Sequence, residues 1–548
     1  MDVPAPVRDR LARLAPDQRA AATTAPGPVL CVAPAGSGKT TTLVARIAWR
    51  VAHGVDPAGI CALTFNRRAA EELQERADTA LAEVGFAPGS VRVRTFHALG
   101  RAILADAGVD VSRLVERHEM LSDLAGGPLP ADVLRWLDDA FTRLKLDPER
   151  GPPPEDTATH EAFMEYQAGL AARGALDLDD LVARALPALV DDAALLRRWR
   201  GRASVLFVDE AQDLDRTQLE LAVLLAGERC DIFLVGDDDQ TIYAWRLADV
   251  RRVLGLAARL PGLRRVDLET NHRCAPEIVR RAARLVAHNQ ERFDKVIRWS
   301  PAAEGSVQLL PDSGDEVARA RLLLTSWAQD GPGDGPRDPS PRAVTASPSG
   351  SPGSRAILAR TNAELVPYAA VALELGLPYR VDDDGLLLDA PDLLEVVAIA
   401  CARTPQGEPP LLALAASARA SGLDAHLTAA LLSWAAPFAE LGALRHELEE
   451  RLERRARLAG AEGPITLATF HGTKGLEWDH VVCVGHDEGI FPAARALREA
   501  ADPQRVLEEE RRLAYVAWTR ARRTLTIVYD PGAPSRFLRE AFDREELA

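Results

Sequence analysis

A chain of 548 residues is long enough for several domains with their own cores, and 47% hydrophobic with 27% charged residues is an ordinary globular composition. The net charge of −15 argues against coating nucleic acid through bulk electrostatics, but it leaves open a narrow groove that grips one strand by stacking. No uncharged stretch spans a bilayer and the six cysteines form no C-x-x-C pair, so neither a membrane partner, a bound cluster nor a disulfide framework is expected, and a cytoplasmic setting is.

In chain order, residues 29–33 read as a short buried strand, followed by a glycine turn and a helix from about Thr40. Further short apolar runs follow at "ICALTF" (60–65), "SVLFVDE" (204–210) and "DIFLVGD" (231–237). A second group comprises "AILAR" (356–360), "ITLATF" (465–470) and "HVVCVG" (480–485). Helical patterns separate many of them, which predicts α/β architecture with two parallel-sheet domains. The first domain is expected over 1–99 and 200–275, with a helical insertion at 100–199. The second is expected over 276–385 and 465–548, with an Ala/Leu-rich helical region at 386–464. Residues 330–354, rich in Gly, Pro and Ser, read as a disordered linker.

"CVAPAGSGKTTTL" (31–43) carries the first chemistry. A strand, a glycine-bearing turn and a helix start let backbone N–H groups of Pro34–Thr41 (Ala35, Gly36, Ser37, Gly38, Lys39 and Thr40 between them; Pro34 itself lends only its turn) cradle phosphates. Lys39 reaches the outer phosphates and Thr40 ligates magnesium, although Ala33 stands where the usual first glycine would be. In "SVLFVDEAQD" (204–213), Asp209 ends a strand where it can hold Mg2+, and Glu210 can orient and deprotonate a water. ATP and Mg2+ are the cofactors this pair implies. Lysine occurs only at 39, 145, 295 and 474, so its presence in the turn is itself informative.

"LVGDDDQTIYAWR" (234–246) packs three acids, a glutamine, two aromatics and an arginine together. Acids suit a metal or a magnesium-bound phosphate, whereas exposed rings and arginine suit nucleobases.

These stretches resemble, in the same order, the motifs of the UvrD/PcrA/Rep-type superfamily-one DNA helicases. "LAPDQRAAA" (14–22) is similar to the adenine-reading motif, with Gln18 as reader. "ALTFNRRAAEEL" (62–73), "VRTFHAL" (93–99), "LETNHRCAPEIV" (268–279), "ARTN" (359–362), "TLATFHGTKGLEWDHV" (466–481) and "EEERRLAYVAWTRA" (508–521) continue the series. The resemblance implies two RecA-like P-loop domains, in which Gln240, Arg273 and Arg520 join Lys39 and Glu210 at the γ-phosphate. It implies that Glu477 meets the ribose and that His272, in place of the usual tyrosine, stacks on adenine. It makes Phe65, His97, Tyr243, Trp245, Arg246, Arg360 and Asn362 the strand contacts. The expected activity is an ATP-dependent single-stranded DNA translocase or helicase of 3′–5′ polarity, in repair, recombination or genome defence, acting on single-stranded or 3′-tailed duplex DNA. Relatives carry a larger accessory domain than 386–464 and a strand-separating hairpin before their "PSRF" ending, whereas "LTIVYDPGAPSRF" (525–537) turns almost at once. The alternative is therefore an ATP- and DNA-regulated subunit that controls a partner nuclease or effector with little unwinding of its own.

Overall fold

The computed structural model describes residues 3–381 apart from 154, 229, 302, 312–315 and 330–352, and residues 393–547 apart from 404–409, 422, 424–427, 429, 430, 433, 437, 439 and 459–464. Nearly all of the stretch expected to be a disordered linker lies outside the described residues. The chain divides into two units, Met1–Asn271 with Glu291–Ile297, and His272–Gln290 with Arg298–Ala548.

The first unit is built on a six-stranded sheet in the order β3-β2-β4-β5-β1-β6. Its strands are β1 (Val29–Val32), β2 (Ile60–Thr64), β3 (Arg92–Thr95), β4 (Val205–Val208), β5 (Ile232–Gly236) and β6 (Arg264–Asp267). All pair in parallel. Every residue of β1, β2, β4 and β5 is buried, which is why they read as unbroken apolar runs and not as alternating ones. The helix Lys39–Ala52 buries Leu43, Val44, Ile47, Ala48 and Val51 in one of the unit's cores, with Val29 and Cys31 of β1 and Phe233 and Val235 of β5. Because the strands run one way, the loops leaving β1, β2, β4 and β5 emerge at one edge of the sheet. β1 lies inside it, where the strand order reverses, the usual place for a ligand crevice.

Between β3 and β4 the chain is helical, from Phe96–Asp106 to Ala193–Arg202. Lys145, for which the sequence offered no role, is buried there. Its ammonium lies 2.8 Å from both Asp177 and Asp180, and Arg117 and the Tyr166 hydroxyl also donate to Asp177.

The second unit has its own six-stranded parallel sheet. The strands are β7 (Ser306–Pro311), β8 (Arg355–Ala359), β9 (Tyr379–Val381), β10 (Ile465–Thr469), β11 (Trp478–Cys483) and β12 (Ala521–Tyr529), in the order β9-β10-β8-β11-β12-β7. Between β9 and β10 the described helices Leu393–Arg403, Pro410–Ala420 and Leu441–Leu458 close a small core around Val396, Val397, Leu414, Leu444 and Leu448.

Two boundaries differ from the sequence reading. Residues 272–275, placed by sequence in the first domain, belong to the second unit, and residues 291–297, placed by sequence in the second domain, pack with the first unit. For 291–297 the cause is electrostatic: Arg292 and Lys295 bond the buried acids that follow β5.

Candidate functional site

The turn after β1 is shaped for phosphate. Gly36 and Gly38 have φ of 68° and 81°, the left-handed region that a side chain enters only at a cost. A Cβ on Gly38 would stand 2.5 Å from the Gln18 amide nitrogen. That nitrogen donates to the Ser37 carbonyl at 2.8 Å, while the Gln18 carbonyl accepts from Ala15 N–H. The proposed adenine reader is thus tied directly to the phosphate turn. Ser37 Oγ is buried without a hydrogen-bond partner, an orphaned polar atom that an added phosphate oxygen would satisfy. Thr41, by contrast, is exposed and its hydroxyl accepts from Arg76.

Lys39 Nζ lies 3.3 Å from the carboxylate of Glu210. Glu210 occupies φ 53°, ψ 45°, strained for a residue with a side chain, and of the kind found where function fixes a group. Its N–H donates to Asp209 Oδ1, and the Asp209 N–H donates to the Leu63 carbonyl of β2. Asp209 and Thr40 suit Mg2+, which keeps water and phosphate oxygens and needs few protein ligands. Among the described residues no three His, Cys, Asp or Glu side chains come together as a metal cage.

The acids of "GDDDQ" do not form a cation site either. Lys295, with a side chain 1% exposed, lies 2.6 Å from Asp237 and 3.0 Å from Asp239, and also contacts Asp238. Gln240 is buried and its amide donates to Asp237 Oδ2 at 2.7 Å. A few residues on, the aromatic side chains come up to the surface. Tyr243 stacks on Phe65 at 5.1 Å and 9°, and Trp245 meets Tyr243 edge-on at 6.1 Å. Trp245 is 55% exposed, so it is no core residue, and the Arg246 guanidinium lies 4.6 Å from its ring centre. His97 is part-buried; burial pulls its pKa below the usual value, Asp179 opposes that and Arg246 adds to it.

In the second unit Arg273 and Arg522 both pair with Glu477. Burial would raise the Glu477 carboxyl, but these two guanidinium groups hold it below the usual range. Arg273 also donates to the Thr519 carbonyl, and buried Arg520 donates to the carbonyls of Val516 and Leu476. Arg273, Glu477 and Arg520 therefore form one cluster, with His272 exposed beside it. Arg360, expected at the DNA strand, is bidentate on Glu510, and Asn362 opens the short turn Ala363–Leu365.

Residues 14–261 match the family described as the UvrD/REP helicase N-terminal domain, and 438–531 the UvrD-like helicase C-terminal domain. Over 584 residues the chain is 32% identical to ATP-dependent DNA helicase UvrD2 of Mycobacterium tuberculosis, covering 95% of this chain and 81% of that protein. The chain belongs to the UvrD/Rep helicase family. It is also 27% identical to DNA helicase II of Escherichia coli, with 93% and 84% covered, and 26% identical to PcrA of Bacillus subtilis, with 94% and 82% covered. Both sheets are those of a UvrD-like α/β helicase.

Sequence reasoning missed Gln212 in this UvrD-family site. Its amide nitrogen donates to Glu210 at 2.6 Å and its carbonyl accepts the Asp237 N–H at 3.0 Å, bridging the two loops. Its place inside "VDEAQD" was the available signal. Lys295 was noticed as one of four lysines, and no site role was given to it.

Proposed function

We propose that this UvrD-family chain is an ATP-hydrolysing DNA helicase whose motor tracks single-stranded DNA from 3′ to 5′. The observation that supports this reading best is the Gln212 bridge, because it joins the water-activating Glu210 to the loop that carries Gln240, Tyr243 and Trp245. Lys39 and the Pro34–Thr41 turn hold the phosphates, Glu210 orients and deprotonates the attacking water, and Gln240 senses the γ-phosphate. A magnesium held by Thr40 and Asp209 would neutralise phosphate charge. Arg273 and Arg520 supply positive charge for the transferred phosphoryl group, Glu477 the ribose contact and His272 the stack on adenine. Phe65, Tyr243 and Trp245 take the bases, with His97, Arg246, Arg360 and Asn362 beside the strand. Stacking of this kind is indifferent to sequence, as a stepping motor requires.

A second reading, a motor that unwinds only with a partner nuclease or effector, is favoured by one feature. From Tyr529 at the end of β12 to the helix Arg536–Ala541 there is only a short turn, leaving no room for a strand-separating hairpin there. Steady-state ATPase with and without single-stranded DNA, followed by unwinding of 3′-tailed and 5′-tailed duplexes, tests both. Opening of the 3′-tailed duplex alone supports the first reading. DNA-stimulated ATPase with a closed duplex supports the second, and an ATPase indifferent to DNA overturns both.

A further inference from the structure

The three acids after β5 are each gripped by one short return segment of the chain. Arg292 is bidentate on Asp239, at 3.1 and 2.8 Å. The Phe293 N–H donates to Asp238 at 2.7 Å. Lys295 reaches all three carboxylates. All three acids are buried, at 0–2% exposure, so each would be costly if left unpaired. Both ends of this segment continue as chain of the second unit.

The grip extends into the chemistry. Asp237 binds Lys295 through Oδ1 and the Gln240 amide through Oδ2, and its own N–H donates to Gln212, which holds Glu210. One unbroken set of bonds therefore runs Lys39–Glu210–Gln212–Asp237–Gln240, with Lys295 at Asp237. Buried networks of this kind hold one arrangement sharply when every member is satisfied.

We infer that Lys295 and Arg292 are positioning residues of the motor: by clasping Asp237, Asp238 and Asp239 they set the loop that presents Gln240 to the nucleotide and Tyr243 and Trp245 to the strand. The acids serve as the anchor of this clasp and hold no metal. Losing either cation frees the loop to sample other positions, so turnover suffers more than ATP binding, whose phosphate turn lies elsewhere. The inference rests on the reading that DNA stimulates the ATPase.

The test uses the full chain and compares wild type, Lys295→Met, Arg292→Met and Arg292→Lys, with thermal unfolding to establish that each folds. At saturating oligo-dT, kcat of both Met variants is expected to fall about tenfold, within the range for changes along coupling networks, with KM for ATP kept within about twofold. Arg292→Lys, which keeps the charge and lies in a part-buried pair, is expected to recover most of the loss even if Lys295→Met does not fold. An unchanged kcat in a folded Arg292→Met overturns the clasp, as does a parallel rise in KM, which would place the acids at the nucleotide. If oligo-dT fails to stimulate wild type, the functional reading falls and the clasp with it; if it stimulates wild type and Arg292→Met equally, only the clasp falls.

Discussion

Truncating Trp245 to alanine separates strand binding from folding. The ring is 55% exposed, meeting Tyr243 edge-on and Arg246 across its face, so its removal opens no cavity. What the fold loses is an exposed cation–π contact, about 0.5–1 kcal/mol. What the strand loses is one stacked base, about 1–3 kcal/mol. At about 1.4 kcal/mol per tenfold, the Kd for oligo-dT should rise roughly five- to 150-fold while the melting temperature barely moves. Fluorescence anisotropy of a labelled oligonucleotide, repeated over a range of salt, reads both the affinity and its origin. A stacking loss leaves the slope of log K against log salt unchanged, whereas removal of one phosphate contact lowers it by about one. A Kd within twofold of wild type would refute the stacking role, and a changed slope would show that the aromatic serves only to hold Arg246 against a phosphate.

Glu210→Gln should lower kcat by about 10²- to 10⁴-fold with little change in ATP binding, read by steady-state kinetics beside equilibrium binding of a fluorescent nucleotide. Lys145→Met leaves Asp177 and Asp180 without their buried ammonium and should cost about 3–5 kcal/mol in urea denaturation; a loss below 1 kcal/mol would mean the network re-pairs without it. Burial lifts the Asp215 carboxyl from 3.8 to about 7, against the Gln218 backbone bond and Arg252 that lower it. The folded state then keeps a proton that the unfolded chain has released, so this group's contribution is full below about pH 4 and lost as pH rises through about 7. Asp215→Asn retains a cap acceptor for the Gln218 N–H and should flatten that part of the profile, as urea midpoints at pH 5 and pH 8 will show.

How much of this was legible beforehand depended on sequence distance. The strands buried along their whole length in the first sheet were found almost to the residue, because a parallel strand covered on both faces must be apolar throughout: "ICALTF" became Ile60–Thr64 and "DIFLVGD" became Ile232–Gly236, whereas β12, with exposed arginines at its start, was not read as a strand. The strand, turn and helix start over residues 29–52 were legible because the glycines, lysine and threonine of the turn lie within a few residues of one another. The clasp was not, since Lys295 stands 58 positions from Asp237 and no local pattern says which acid a distant cation will meet. Lys145 and Asp180, 35 apart on helices with many other charges, were equally silent. The acidic run was read as suited to a metal because like charges in sequence resemble a cation site until their partner is seen.

The scarcity of lysine has a practical side. An amine-reactive reagent meets only four side-chain ammonium groups, at 39, 145, 295 and 474, besides the N-terminus. Two of those are shut inside, with side chains 2% and 1% exposed at Lys145 and Lys295, while Lys39 is 13% exposed at the mouth of the phosphate turn. The folded protein thus carries an almost silent background for amine footprinting. On the phosphate role proposed for Lys39, added nucleotide is expected to protect it from acylation, read by mass spectrometry without any engineered label, and acylation at Lys145 or Lys295 signals that the fold has opened.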